Sequence, residues 1–261
     1  MKNKATIITH QGWADFYSSN GLINHYAKLY EELVVFVCDQ KRKHMLTEIY
    51  SHIPNVKVAI PNTKERNDDN STCLICHTNL TKVTGPCPRE SFQRCKFISY
   101  DQYTDYDNIK IGAFKGFQQW IDHMEKSSSF AHAFYSFENL DPNVRISSFS
   151  VADVNQDKIP YTLPYVAVHN DPLRGFAMNL DRSLLTFNLN MKSETMIDQI
   201  KLIENASAIH MIDSNYSVLI YLLSFHNNKI KYLPKYLHAY TRTGRSLNIY
   251  TLPKPENWTV L

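Results

Sequence analysis

Apolar and polar positions alternate along this chain in blocks that read as strand, then helix. Ala5 to Thr9 is a short apolar run and predicts a first strand. Ser18 to Glu31 carries Leu22, Ile23, Tyr26, Ala27 and Tyr30 at helical spacing. Leu33 to Cys38 is apolar throughout, as in a parallel strand covered on both faces. Lys43 to His52 predicts a helix and Val56 to Ile60 the next strand. This βαβαβ order is the start of a doubly wound sheet. Residues 61–95 interrupt it: they are polar, hold four of the five cysteines and read as an insertion. Cys95 to Ile98 resumes a strand, and Phe117 to Met124 and Phe130 to Phe137 read as helices.

Residues 155–164 are polar with two prolines and mark a domain boundary. Strand and helix then alternate again: Tyr165 to His169, Leu184 to Leu189, the helix Thr195 to Glu204, and the strand Ala208 to Ile212. Asp213, Ser214 and Asn215 follow at once, all good N-cap residues. Val218, Leu219, Tyr221, Leu222, Leu223 and Phe225 then fill a buried helix, and Ile230 to Leu233 predicts a last strand. The expected architecture is α/β, with two Rossmann-like domains facing a cleft. They span 1–157, with the insertion at about 61–95, and 158–241. A tail over 242–261, ending in Pro253, Pro255 and Trp258, is expected to pack back on the first domain.

Composition changes this picture little. Apolar residues make up 43% and charged residues 20%, so a folded chain is expected. A net charge of +3, evenly spread, argues against a nucleic-acid partner. No apolar run reaches the ~18 residues needed to cross a membrane, and the N-terminus reads as a strand rather than a signal peptide. The expectation is a soluble cytoplasmic protein, in the host cytoplasm if its source is viral. Five cysteines in that setting point to a reducing compartment with free or metal-bound thiols.

Four groups of residues carry candidate chemistry. After the first strand come His10, Gln11, Gly12, Trp13, Ala14 and Asp15. Asp15 either caps the following helix or faces a cleft as a base for a hydroxyl proton, and Gly12 lets the backbone turn or approach a ligand. After Tyr165 to His169, the loop to Gly175 holds His169, Asp171 and Arg174; Arg174 suits a phosphate or a structural ion pair with Asp171. Asp213, Ser214 and Asn215 stand between a strand and a helix N-terminus, whose N–H groups and dipole suit a diphosphate; the plainer alternative is an ordinary capped helix. Cys73 and Cys76 form a C-x-x-C pair, with Cys87 and Cys95 beyond it, so a structural zinc knuckle stands beside free thiols. Among scattered cations, Lys110 and Lys115 read as solvated surface, and Arg145, Arg242 and Arg245 as candidates to line an interdomain cleft.

The first loop, with Asn20-Gly21-Leu22 after it, resembles the H-x-G-x-G-D segment followed by N-G-L and a helix in small two-domain GT-B glycosyltransferases. These occur in giant viruses and bacteria and are distantly similar to ADP-heptose transferases. Ala14 stands where that pattern has its second glycine. Ile209 to Ser214 resembles the donor-diphosphate element of those enzymes, and Tyr240-Thr241-Arg242 through Trp258 resembles their ending. The resemblance implies an inverting, metal-independent transfer from a nucleotide-diphosphate sugar, such as a UDP or GDP sugar, to a glycan or other hydroxyl acceptor. It implies Asp15 as base, with His10 as reserve, and Gln11, Gly12, Trp13 and Arg242 on the acceptor. His169, Arg174, Asp213, Ser214 and Asn215 would hold the donor. No cofactor would be required, and zinc, if bound, would be structural.

Two other classes compete. A methyltransferase wants a glycine-rich loop after the first strand and an acid ending the second; Cys38-Asp39 supplies the acid, but the loop has one glycine. A non-catalytic, zinc-stabilised or carbohydrate-binding interaction protein is the other.

Overall fold

A computed structural model of the chain describes residues 3–9, 11–64, 97–111, 130–153, 163–170, 178, 180–181, 183–189, 199–238 and 255–261. The chain divides into two compact units, Met1–Ala152 and Asp153–Leu261. Each is α/β and built on a parallel sheet, as in Rossmann-like folds.

In the first unit, β1 (Lys4–Ile8), β2 (Glu32–Phe36), β3 (Val56–Ala59) and β6 (Asp107–Lys110) form one sheet in the order β3-β2-β1-β6. All its pairings are parallel. One face carries Ile8, Val34 and Phe36, packed with Ile98, Cys38, Ala59 and Tyr100, Tyr103 and Tyr106. Ala5, Ile7, Leu33 and Val35 alternate with these and are fully buried. The short β4 (Thr63–Lys64) and β5 (Phe97–Ile98) form a separate antiparallel pair.

The first helix starts earlier than its apolar spacing predicts. α1 runs Trp13–Ala27, with Gly12 as an extended N-cap whose carbonyl accepts from Asp15 N (3.1 Å) and Phe16 N (3.2 Å). The loop expected over 10–15 therefore shrinks, and Asp15 sits in the first helical turn. The N-G-L segment is a packing element. Asn20 exchanges hydrogen bonds with Ser150, donating to its carbonyl (2.9 Å) and accepting from its N–H (3.0 Å). Asn24 donates to Ser148 O at 2.8 Å. A Cβ on Gly21 would lie 2.6 Å from Val144 O and 2.9 Å from Arg145 Cα. That close approach seats α1 against α3 (Phe130–Phe137) and α4 (Val144–Ser147). Arg145, expected at a cleft, is buried within this unit.

In the second unit, β7 (Val166–His169), β8 (Thr186–Asn188), β9 (Ala208–Ile212), β10 (Lys235–His238) and β11 (Trp258–Val260) form one parallel sheet in the order β11-β10-β9-β7-β8. Counted within the unit this is 2-1-3-4-5, the second common order of doubly wound sheets. α5 (Ile200–Glu204) precedes β9, and α6 (Asn215–His226) follows it. Tyr216, Leu219, Ile220 and Leu222 of α6 are fully buried, as an all-round apolar helix requires.

One expectation is corrected here. Ile230 to Leu233 is not a strand: Asn227 Oδ1 accepts from Lys229 N and Ile230 N, both at 3.1 Å, and so starts α7 (Asn228–Tyr232). The strand is the next segment, β10. At the end of the tail, β11 adds to the open edge of β10, with Lys235 opposite Trp258. Three Lys235 Nζ hydrogen bonds, to Lys231 O (2.9 Å), Leu233 O (2.8 Å) and Glu256 O (3.2 Å), tie α7 to the residues leading into β11.

Candidate functional sites at two strand ends

In open α/β sheets, ligands bind outside the carboxyl ends of the strands, where the strand order reverses. The first unit reverses between β1 and β6, and the second between β7 and β9. Of the residues singled out by sequence, Gln11, Gly12, Trp13 and Asp15 follow β1, and His169, Asp213, Ser214 and Asn215 follow β7 and β9.

Beyond β1, Gln11 is buried and bridges two strands: its Nε2 donates to Thr9 O (3.0 Å) and Phe36 O (3.3 Å), and its Oε1 accepts from Cys38 N (3.0 Å). Gly12 leaves room for the neighbouring carboxylate, since a Cβ there would meet Asp15 Oδ2 at 2.5 Å. Asp15 is half-buried in the first turn of α1. Trp13 lies under two cations, Lys41 Nζ at 5.5 Å and Arg42 Cζ at 5.4 Å from its ring centre. Arg42 Nε donates to Gln11 O at 2.7 Å, and its guanidinium pairs with Asp39. Asp39 in turn caps α2 (Gln40–Ile49), accepting from Arg42 N at 2.8 Å. At the end of β6, Lys110 is half-buried over the Tyr100 ring at 5.8 Å, and burial lowers its pKa, so it is not the solvated charge expected. Lys41 and Arg42 escaped the sequence reading. The only local signal was the three-residue spacing of Asp39 and Arg42, which suits an N-cap.

In the second unit the structure brings His169 together with the segment after β9. His169 ends β7, is buried, and its ring lies 4.4 Å from that of Tyr216. Tyr216 is held by its hydroxyl, which donates to Gln199 Oε1 at 2.7 Å. Ser214 is the N-cap of α6 in a capping box: its Oγ accepts from Tyr216 N (3.2 Å), and Ser217 Oγ accepts from Ser214 N (3.0 Å). Ser217 Oγ also donates to Ser214 O at 2.6 Å and lies 3.3 Å from Asp213 Oδ1. Asp213, Ser214 and Asn215 are each half-buried. The arrangement offers a helix N-terminus, a hydroxyl and a carboxylate beside an aromatic pair.

His10, Arg174, Arg242, Cys73, Cys76, Cys87 and Cys95 lie outside the described residues, as do Lys115 and Arg245. Among the described residues no group of three or more His, Cys, Asp or Glu side chains is arranged to hold a metal, and no helix is long and apolar enough to cross a membrane. Cys38 is a free thiol, and burial raises its pKa. Comparison with protein-family models, curated proteins and solved structures finds no match.

Proposed function

We propose that this chain is a glycosyltransferase of the two-domain GT-B kind, moving a sugar from a nucleotide-diphosphate donor to a hydroxyl acceptor with inversion and without a metal. What supports the reading is the strand order of the second unit, which sets the capped N-terminus of α6 at the β7/β9 reversal. A diphosphate there meets the positive end of α6 and the Ser214 hydroxyl. The Asp213 carboxylate suits a ribose hydroxyl rather than a phosphate, and His169 and Asn215 flank it. Arg174 supplies the charge-assisted bond to the leaving phosphate.

The first unit takes the acceptor, with Gln11, Gly12 and Trp13 as its contacts and Arg242 as a further one. Asp15 accepts the proton of the acceptor hydroxyl as that oxygen bonds to the anomeric carbon and the nucleoside diphosphate departs. His10 is the reserve base. The methyltransferase alternative is weakened because Asp39, the acid it needs for a ribose, is already committed to Arg42 and the α2 cap.

The reading is tested by thermal melts with UDP, GDP and S-adenosylmethionine, followed by transfer assays. A ligand at about a hundredfold excess over its Kd should stabilise the chain by about 2.7 kcal/mol. Arg174→Ala should cost about 1.5–3 kcal/mol of nucleotide affinity. Asp15→Asn should lower kcat by ~10²–10⁴ and leave that affinity intact. A shift with S-adenosylmethionine alone would sink the proposal.

A further inference from the structure

Two lysines lie over tyrosine rings on one face of the first sheet, at its opposite ends. By register and strand alternation, Lys4 and Ile8 of β1 share this face with Glu32, Phe36 and Lys110. Tyr100, Tyr103 and Tyr106 pack on it. The Tyr103 ring centre lies 5.2 Å from that of Tyr106 and 5.0 Å from that of Phe36, and the Tyr100 centre 6.1 Å from Phe36. At the amino end, Lys4 Nζ stands 5.4 Å from the Tyr106 centre. That end holds its own carboxylate, Glu32, whose Oε1 accepts from the Tyr106 hydroxyl at 2.8 Å and lies 3.2 Å from Lys57 Nζ. At the carboxyl end, Lys110 Nζ stands 5.8 Å from the Tyr100 centre. Asp39 is engaged by Arg42, Asp101 by Ser99 Oγ at 2.6 Å and Asp107 by the Tyr30 hydroxyl at 3.2 Å. Among the described residues Lys110 therefore has a ring and no carboxylate as partner.

We propose that Lys110, with the tyrosines beside it, binds a carboxylate or phosphate borne by the acceptor, so that the acceptor is an acidic or phosphorylated sugar rather than a neutral one. As an acceptor contact, Lys110 rests on the transfer proposed above. It ends β6 beside β1, at the strand-order reversal outside which ligands of such sheets bind. Half-burial strips water from its ammonium, and a ring face returns less than a charge-assisted hydrogen bond to an anion would. The pairing at Lys4 shows what completes such a group, an acid beside the ring. At the carboxyl end the ligand supplies that acid. Asn108, two residues before Lys110 on the same face, is exposed, which leaves the face reachable from solvent along β6. Tyrosine rings suit the apolar C–H side of a sugar, and the ammonium takes its charge.

The test is NMR titration of the full chain at neutral pH with glucuronate, glucose 6-phosphate and glucose, for the natural sequence, Lys110→Met, Lys110→Arg and Lys4→Met. The natural chain should bind one or both charged sugars roughly tenfold or more tightly than glucose, the scale of one charge-assisted hydrogen bond. Which of the two it prefers separates a carboxylate from a phosphate acceptor. Lys110→Met should abolish the preference, Lys110→Arg should retain it, and Lys4→Met should leave it unchanged. Equal affinity for the three sugars, no binding of any, or equal loss in Lys110→Met and Lys4→Met would overturn the site. If Lys110→Met fails to fold, the natural chain still decides: the preferred sugar should shift the Lys110 ε-methylene and Tyr100 ring resonances before those of Lys4 and Tyr106, and the reverse order would overturn the site. A Lys110-dependent preference in a chain that no nucleotide stabilises would keep the anion site and unseat the transfer. Nucleotide stabilisation without any preference would do the reverse.

Discussion

Gln11 and Ser214 stand at equivalent points, each between a parallel strand and the helix that follows it, yet their hydrogen bonds reach different distances. Gln11 ties β1 to β2 through three side-chain bonds, and its carbonyl takes Arg42 from α2. Among the described residues Ser214 bonds only within its own turn, to Tyr216, Ser217 and Val218. The edge of the first sheet is thus a network across elements, where changing one member disturbs several. The edge of the second is closed locally. Substitution at Gln11 mixes stability with any part in binding, whereas at Ser214 the structural cost is one cap and function is read separately.

The interiors differ as well: both units bury tyrosines, and the second also buries a lysine. Lys235→Ala is expected to have the largest effect, about 3 kcal/mol or more in urea denaturation, because three carbonyls lose their shared donor and a buried side chain is truncated. A loss under about 1 kcal/mol would mean that this tie is dispensable. The same lysine predicts a pH dependence. Burial pushes its ammonium from 10.5 down to about 8. Between these values the unfolded chain binds the extra proton, so the contribution of Lys235 to stability rises with pH. Tyr26, Tyr50 and Tyr135 act with the opposite sign: burial raises each well above 10, so above about pH 10 the unfolded chain sheds protons that the fold retains, and stability falls. Denaturation at pH 7.5, 9 and 10.5 should show a rise that vanishes in Lys235→Met.

Smaller effects separate Gly12 from Gly21 in the first unit. Gly21→Ala drives a Cβ into the backbone of Val144 and Arg145, which cannot yield cheaply, and should cost about 2–3 kcal/mol. Ser214→Ala removes one cap and should cost about 1 kcal/mol, with β1 and β2 unchanged by hydrogen exchange. Gly12→Ala displaces only the mobile end of Asp15. It should cost less than about 1 kcal/mol in melts, while lowering transfer if Asp15 is the base. Equal costs for the two glycine variants would contradict the close packing of α1 on α4.

The segment from Ala208 to His226 was legible in the sequence because each of its features is decided within a few positions. An apolar run makes the strand, Ser214 caps with Ser217 three residues on, and an all-round apolar stretch demands burial. The opening strand–helix alternation of the first unit was legible for the same reason, as were Asp15 and Ser214 as residues of interest. Tertiary structure alone decided the rest. β6 reads Asp-Asn-Ile-Lys, with no strand signal, and joins the sheet because Ile109 pairs with Ile7 about a hundred positions away. β10 hides a lysine whose charge is met by carbonyls from α7 and from the residues before β11. Arg42 over Trp13 and His210 beside His238 are likewise partnerships between elements. Local patterns record what a residue does to its neighbours in sequence, whereas strand order and the meeting of side chains depend on which distant hydrogen-bonding edges and apolar faces cover one another.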